Sequence, residues 1–260
     1  MTRARLAAIQ MVSGPEVAAN LAAAGRLVAE AAAAGAQLAA LPENFYLIGR
    51  HESEKVALRE PDGNGPIQQF LSEVSRKNRI WIVGGTAPIA TDDDRRIRGA
   101  CLVYDDSGKR VGRYDKMHLF RFNGQNENYD EARTLQPGTL PVALQSPFGR
   151  LALSVCYDVR FPEVYRGLGE FDVMFVPSAF TVPTGAAHWE TLLRARAIEN
   201  KAYVVAPAQG GTHAGGRRTW GHSMIVDPWG EILASRAEGE GVVLAEIDPA
   251  RLQEIRRRLS

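Results

Sequence analysis

An apolar run leads straight into a helix start in the stretch Leu151-Ala-Leu-Ser-Val-Cys-Tyr-Asp-Val-Arg-Phe-Pro-Glu163. Its first five residues are typical of a buried strand, and Pro162 with Glu163 suits the first turn of a helix. Cys156 therefore stands at a strand-to-helix corner, where helix amides favour thiolate over thiol and a sharp turn holds the sulfur at the sheet edge. The alternative is a cysteine that only packs in the core.

Two other strand-like runs end in the same way, with a charged residue just beyond them. Residues 37–41 continue into Pro42 and Glu43, and residues 109–114 continue into Asp115 and Lys116. Ligand and catalytic groups of open α/β sheets gather outside the carboxyl ends of strands, so we expect the three corners to converge. A carboxylate, an ammonium and a thiol would then share one site.

These corners resemble the nitrilase superfamily of carbon-nitrogen hydrolases, and the resemblance covers nearly all of the 260 residues. It implies that the Glu-Lys-Cys triad of that family lies on Glu43, Lys116 and Cys156. The last two matching blocks, residues 188–200 and 221–230, are most similar to the branch of amidases that hydrolyse deaminated glutathione, a repair activity of the cytosol. The blocks that carry the resemblance are Leu41-Pro-Glu-Asn-Phe45, Tyr114-Asp-Lys-Met-His-Leu119, Val155-Cys-Tyr-Asp-Val-Arg-Phe-Pro-Glu163, Pro177-Ser-Ala-Phe180, His188-Trp-Glu-Thr-Leu-Leu-Arg-Ala-Arg-Ala-Ile-Glu-Asn200 and Gly221-His-Ser-Met-Ile-Val-Asp-Pro-Trp-Gly230.

The resemblance also implies a second active-site glutamate, between the lysine and cysteine segments. The run Tyr129-Asp-Glu-Ala-Arg-Thr-Leu-Gln-Pro-Gly138 fits the family pattern and places this role on Glu131, which would position Lys116 and the substrate amide. Glu127 is a nearby competitor, because the alignment of this loop leaves both glutamates open. An ordinary solvated acid is the alternative for each.

Amide hydrolysis needs a nucleophile, a base, an acid for the leaving amine and positive charge at the developing oxyanion. Glu43 would take the proton of the Cys156 thiol and pass it to the departing nitrogen. Lys116 would stabilise the oxyanion together with the backbone N–H of Tyr157, although a surface salt bridge is the alternative for this lysine. We interpret Asp158 and Arg160 as an ion pair that braces the turn.

A substrate carboxylate would need a cation beside the site. Arg217 and Arg218 follow the glycine-rich residues 210–216 and are candidates, with solvent-facing arginines as the alternative. Residues 121–136 and 210–216 both have the composition of irregular active-site loops. The helix expected at 188–200 has a mixed face that suits the interface of a homodimer, as in the family, or a plain core helix.

The composition indicates one soluble α/β domain, residues 1–260, that needs no cofactor. The chain has a mass of 28.4 kDa and a formal net charge of +1 with mixed signs, which gives nucleic acid or anionic membrane no electrostatic attraction. Two cysteines and no signal peptide fit the reducing cytoplasm. The histidine spacing is not that of a metal site.

Strand-like and helical runs alternate along the chain and predict sheets covered by helices. The pattern alone leaves a doubly wound sheet and two packed sheets open, whereas the family resemblance implies a four-layer α-β-β-α sandwich. A hairpin turn is expected at 105–108. The expected strands are 5–10, 38–41, 80–86, 99–104, 109–114, 151–155, 173–176 and 202–206, with antiparallel strands around 227–230, and the expected helices are 15–34, 66–77, 162–168 and 188–200.

Other functions remain open from the sequence. An ω-amidase acting on α-ketoglutaramate and an N-carbamoyl-amine hydrolase share the chemistry, and a nitrilase differs by one thioimidate step. A non-catalytic scaffold or binding protein that keeps the fold is the alternative of another class. The intact Glu-Lys-Cys set favours an enzyme over a scaffold.

Overall fold

The computed structural model describes residues 1–124 and 128–259, which form two packed β-sheets with helices outside them. The strands are β1 (Ala4–Gln10), β2 (Leu38–Leu41), β3 (Trp81–Gly84), β4 (Ala87–Ala90), β5 (Ile97–Tyr104), β6 (Arg110–Asp115), β7 (Arg121–Asn123), β8 (Asn128–Asp130), β9 (Val142–Ser146), β10 (Gly149–Leu153), β11 (Val173–Phe175), β12 (Tyr203–Ala206), β13 (Gly210–Thr212), β14 (Arg218–Trp220), β15 (Ser223–Val226), β16 (Ile232–Arg236) and β17 (Gly241–Ile247). The α-helices are α1 (Val17–Ala33), α2 (Glu54–Ala57), α3 (Pro66–Asn78), α4 (Pro162–Arg166), α5 (Val182–Asn200) and α6 (Pro249–Arg258), and short 3-10 helices lie at Glu131–Arg133, Cys156–Arg160 and Ala214–Gly216.

The first sheet has the order β17-β1-β2-β3-β5-β4, with β6 also paired to β5. The second sheet has the order β16-β15-β12-β11-β10-β9. Parallel pairing joins β1, β2 and β3 in one sheet and β10, β11 and β12 in the other. The carboxyl ends of β2 and β10 therefore each open onto an edge of a parallel segment, where a site is expected.

Strand β1 shows how the layers are built, because its side chains alternate between two cores. Leu6 and Ala8 belong to the cluster between the sheets, whereas Ala7 and Ile9 belong to the cluster under α1 and α3. Helix α5 packs on the outer face of the second sheet through residues such as Trp189. The order helix, sheet, sheet, helix confirms the predicted four-layer α-β-β-α sandwich.

Most predicted elements are present with small shifts at their ends. The hairpin at 105–108 is confirmed, since Gly108 N donates to Asp105 O over 3.0 Å and Gly108 has φ 84°. Helix α5 begins six residues before the predicted start at position 188. Strands β4, β9 and β17 and helix α2 were not predicted from the sequence.

The prediction of irregular loops at 121–136 and 210–216 was wrong in part. The first segment contains β7 and β8, which pair as an antiparallel ribbon, and the 3-10 helix at Glu131–Arg133. The second contains β13, which pairs with β14. In the two ranges that the structure describes, no helix is long and apolar enough to cross a bilayer.

Candidate active site

Lys116 lies directly after β6 and connects two buried carboxylates. Its Nζ donates to Glu43 Oε1 over 2.8 Å and contacts Glu131 Oε1 and Oε2 at 2.9 and 2.7 Å. The side chain is 1% exposed. Burial alone would lower the pKa of this ammonium, but the carboxylates of Glu131 and Glu43 outweigh burial and hold the pKa well above its ordinary value. Lys116 is therefore a charged group buried from bulk solvent.

Glu43 reaches this site from the corner after β2. Its backbone carbonyl accepts from Gln209 Nε2 over 3.2 Å, and the next residue, Asn44, has φ 56° and donates its N–H to Thr86 Oγ1 over 2.9 Å. Gly85 lies against the same turn, where an added Cβ would collide with the carbonyl oxygen of Pro42. These contacts fix the direction in which the Glu43 carboxylate points.

Glu131 is the second carboxylate, in the 3-10 helix that follows β8. Its Oε2 accepts the backbone N–H of Phe120 over 2.7 Å, and its own N–H donates to Phe120 O over 3.0 Å. Burial raises the pKa of Glu131, the Lys116 ammonium opposes that rise and Glu43 adds to it. The competing residue Glu127 lies outside the described residues.

Cys156 opens the 3-10 helix after β10 and is 6% exposed. Its φ of 49° is left-handed, and its N–H donates to Pro177 O over 2.9 Å, so the corner is a tight turn as predicted. The expected preference for thiolate is not found. Burial and the Glu43 charge raise the pKa of this thiol well above its ordinary value, although Lys116 and the Ala179 N–H act in the opposite direction.

A small crevice opens beside Cys156, and Arg160 lies in its wall. Arg160 Nη2 donates to His188 Nδ1 over 3.1 Å, and its guanidinium lies 5.7 Å from the Tyr157 ring centroid. The predicted Asp158–Arg160 ion pair is wrong, because Asp158 points inward instead and bonds groups of the lysine segment. The crevice is lined by Phe120, Cys156, Tyr157, Arg160, Ala179, Phe180, Thr181 and Thr184.

The two arginines suggested for the substrate, Arg217 and Arg218, do not line this crevice. Arg217 Nη1 contacts Glu52 Oε1 at 2.8 Å and its guanidinium lies 5.0 Å from the Tyr129 ring centroid, so its charge is already paired. Arg218 is exposed at the start of β14. Glu52 also meets Lys55 Nζ at 2.6 Å, which completes a charged cluster near the carboxylates.

Arg196 lies on the core side of α5, the helix for which the sequence left an interface and a core position open. Its side chain is 6% exposed, and its Nε donates to Val159 O over 2.8 Å. The same face of α5 buries Trp189, whose Nε1 donates to His222 O over 2.8 Å. The i, i+7 spacing of Trp189 and Arg196 is the signal that would have placed both on the core face.

The carbon-nitrogen hydrolase family model matches residues 5–257. The chain belongs to the carbon-nitrogen hydrolase family. Deaminated glutathione amidase from Synechocystis sp. is 43% identical over 97% of this chain and 94% of its own. The mouse deaminated glutathione amidase is 40% identical over 98% of this chain and 80% of its own. This carbon-nitrogen hydrolase is accordingly an enzyme of the amidase type.

Solved structures agree with that family assignment. Nit3 of Saccharomyces cerevisiae, a member of branch 10 of the nitrilase superfamily, superposes with a TM-score of 0.87 at 29% identity, covering 99% of this chain and 94% of that one. An amidase from Nesterenkonia sp. AN1, solved with acrylamide added at its active site cysteine, gives 0.81 at 26% identity and 98% coverage of both chains. Within residues 1–124 and 128–259, no cluster of His, Cys, Asp and Glu is arranged to hold a metal ion.

Proposed function

We propose that this protein hydrolyses the amide bond of deaminated glutathione, giving α-ketoglutarate and Cys-Gly through a thioester on Cys156. The observation that carries the proposal is the buried Lys116 ammonium between Glu43 and Glu131, with all three charged groups close enough to Cys156 to shift the pKa of its thiol. Relatives named deaminated glutathione amidase, 37–43% identical over nearly the whole chain, support this substrate.

Glu43 serves as the base and then as the acid. The raised pKa of the thiol means that Cys156 rests protonated, so its proton must leave as the sulfur attacks the amide carbon. Glu43 accepts that proton and delivers it to the nitrogen as the C–N bond breaks, which releases the amine of Cys-Gly. Water then attacks the thioester, gives a proton to Glu43 and restores the thiol with release of the carboxylic acid.

Lys116 stabilises the oxyanion of each tetrahedral intermediate. An ammonium has three N–H donors, and Lys116 Nζ already contacts Glu43 Oε1 and both Glu131 oxygens, so one Glu131 contact gives way when Nζ donates to the oxyanion. The Tyr157 backbone N–H, next to the nucleophile, supplies the second donor. Glu131 keeps the ammonium in place because Phe120 fixes its carboxylate from the other side.

Arg160 is the cation that this site offers to the α-keto acid end of the substrate. It lines the crevice with Cys156, and its guanidinium bonds the imidazole of His188 rather than a carboxylate of the described residues. Arg217, by contrast, is paired with Glu52. A guanidinium binds a carboxylate through two parallel N–H donors, which suits a small keto acid.

The acyl-enzyme provides the test. After rapid acid quench of the enzyme with deaminated glutathione, intact-protein mass spectrometry should show an α-ketoglutaryl adduct, and peptide mapping should place it on Cys156. Cys156→Ala should lose turnover. The matched control is Cys101→Ala, which should retain turnover because Cys101 is a fully buried strand residue. Turnover by a folded Cys156→Ala protein would exclude the thioester route.

The protein acts as a homodimer in the cytoplasm, with residues 1–260 as one domain. Ile198, on the outer side of α5, is 45% exposed, and Trp229, in the neighbouring β15–β16 turn, is 49% exposed. Large exposed apolar side chains that lie together mark an interaction surface. Sedimentation should show a dimer that Ile198→Glu converts to a monomer, and a monomeric wild-type protein would contradict the assignment.

A further inference from the structure

Asp158 joins two segments that come from different sheets. Lys116 follows β6 of the first sheet, and Cys156 follows β10 of the second. The separation of the ammonium from the thiol therefore depends on how the two sheet edges are held together. Asp158, two residues after the nucleophile, is fully buried at this junction.

The Asp158 carboxylate accepts four hydrogen bonds. Oδ1 accepts from His118 N at 2.9 Å and His118 Nδ1 at 2.8 Å, and Oδ2 accepts from Tyr114 Oη at 2.7 Å and Val155 N at 2.8 Å. Three of these donors belong to the lysine segment and one to the nucleophile strand. Tyr114 Oη in turn accepts from Met117 N over 3.3 Å, so the carboxylate reaches both residues after Lys116.

The other backbone contacts of Lys116 stay on its own side of the junction. Its N–H donates to Gly99 O over 3.1 Å, and its carbonyl accepts from Gly138 N over 2.8 Å. The ring of His118 stacks on Phe161 at a centroid distance of 3.7 Å, which aligns its Nδ1 with the carboxylate. Only an acceptor with no proton of its own can serve all four donors, and a carboxylate is such a group.

We propose that Asp158 is a positioning residue that sets the separation between Lys116 Nζ and Cys156 Sγ. It touches neither the substrate nor the reacting atoms and acts through Tyr114 and His118. The inference rests on the proposed function, because Lys116 and Cys156 are the groups whose alignment matters. If the Asp158 carboxylate only stabilised the fold, its replacement would lower the melting temperature and leave kcat unchanged.

The first test is Asp158→Asn, which keeps the side-chain volume but replaces one carboxylate oxygen by an NH2 group. That NH2 group then faces two hydrogen-bond donors and cannot accept from either. We expect kcat to fall about 100-fold, the scale of a misplacement near 1 Å, with KM within about threefold of wild type. The matched control is Glu60→Gln. Glu60 is 3% exposed and accepts Ile67 N over 2.6 Å and Gln68 N over 3.2 Å at the start of α3. The control should lower the melting temperature and keep kcat.

The second readout needs no substrate. Alkylation of Cys156 by iodoacetamide, followed by peptide mass spectrometry against pH, reports the thiolate fraction. Glu43, Lys116 and Glu131 are the charged groups that act on this thiol, and of these three Lys116 favours the thiolate, together with the Ala179 N–H. Displacing Lys116 should move the alkylation profile of Asp158→Asn to higher pH, whereas loss of the Asp158 charge alone would move it to lower pH. The direction therefore separates positioning from simple charge removal.

A third variant covers a failure of Asp158→Asn to fold. Tyr114→Phe keeps the carboxylate charge and removes one donor, and we expect a kcat loss of about tenfold with the same direction of alkylation shift. Wild-type kcat and an unchanged alkylation profile in folded Asp158→Asn, or in Tyr114→Phe where the first variant does not fold, would overturn the proposal. A wild-type protein inactive on amides would refute the proposed function, and the alkylation arm would still decide the role of Asp158.

Discussion

At the scale of single residues, Lys116 and Glu43 differ in what their removal does to the fold. Lys116→Met leaves the buried carboxylates of Glu43 and Glu131 without their cation, which costs about 3 to 5 kcal/mol of unfolding free energy. Glu43→Gln leaves the Lys116–Glu131 pair intact, so its melting temperature should fall less. Both variants should lose at least about 100-fold in kcat, because each removes a group that acts in the transition state.

Initial rates and thermal unfolding followed by circular dichroism measure both effects. A Glu43→Gln protein that retained more than about one tenth of wild-type kcat would remove the general base from the mechanism. Equal stability of the two variants would mean that the Lys116 charge is not held by both carboxylates.

The three corner residues were predictable because each charge or thiol directly follows an apolar run. The hydrogen-bond partners of Asp158 could not be predicted in this way. Sequence neighbours suggested Arg160, whereas the actual donors are Tyr114 and His118, about 40 positions earlier in the chain. Tertiary packing brought these segments together, and no local pattern encodes it.

At the scale of elements, Glu52 connects α2 to β14 through Lys55 and Arg217, and this link should depend on pH. The Lys55 ammonium lowers the pKa of Glu52 from its ordinary value of 4.5 to about 2, against the opposing effect of burial, with further help from Arg217. A carboxyl with a lowered pKa in the folded state stabilises the fold above its unfolded pKa and loses that contribution as pH falls.

The Glu52→Gln variant isolates this contribution. Wild type should exceed the variant in free energy of unfolding by a constant amount above about pH 5, and the difference should shrink as pH falls from 4.5 towards 2. Urea unfolding of both proteins across that pH range measures it. A difference that stayed constant down to pH 2 would contradict the lowered pKa.

Two helix glycines give opposite predictions for the same substitution. Gly25 in α1 has room for a Cβ, which would lie 3.5 Å from the Phe70 ring, so Gly25→Ala should stabilise the fold by about 0.4 to 1 kcal/mol. A Cβ on Gly185 in α5 would collide with Trp220 of β14, so Gly185→Ala should lower the melting temperature. Differential scanning calorimetry compares them, and stabilisation by both would show that α5 can shift away from β14.

The bounds of β2 and α3 followed closely from periodicity and from Pro66 at the helix start. Strand β17 was not assigned, although its partner β1 was. Their pairing joins Ala4 to Ile247 across almost the whole chain, and such a pairing depends on where the chain end returns to the sheet rather than on local pattern.

At the scale of the whole molecule, periodicity left two architectures open, and the packing of the sheets decides between them. Strands β1 and β17 face β12 and β15 across the central core, which makes two sheets rather than one wound sheet. This packing brings the ends of β6 and β10 together. The active site is therefore a product of the sandwich, since neither sheet alone carries both Lys116 and Cys156.

The preference between substrates follows from the same whole-molecule geometry. Deaminated glutathione and α-ketoglutaramate share the α-keto acid end that Arg160 would bind, and they differ in the leaving group. We expect Cys-Gly to contact the wall of the crevice, whereas ammonia contributes no such binding energy to the transition state. We expect kcat/KM for deaminated glutathione to exceed that for α-ketoglutaramate by at least about tenfold.

Coupled assays with glutamate dehydrogenase measure α-ketoglutarate from both substrates, with the ammonium supply held in excess. Arg160→Gln is the matched variant: it should lower kcat/KM for both substrates by about 10- to 100-fold, as expected for loss of a charge-assisted bond, and leave their ratio unchanged. A preference for α-ketoglutaramate in the wild type would instead indicate an ω-amidase. A variant that lost activity on only one substrate would place Arg160 at the leaving group, because the keto acid end is common to both.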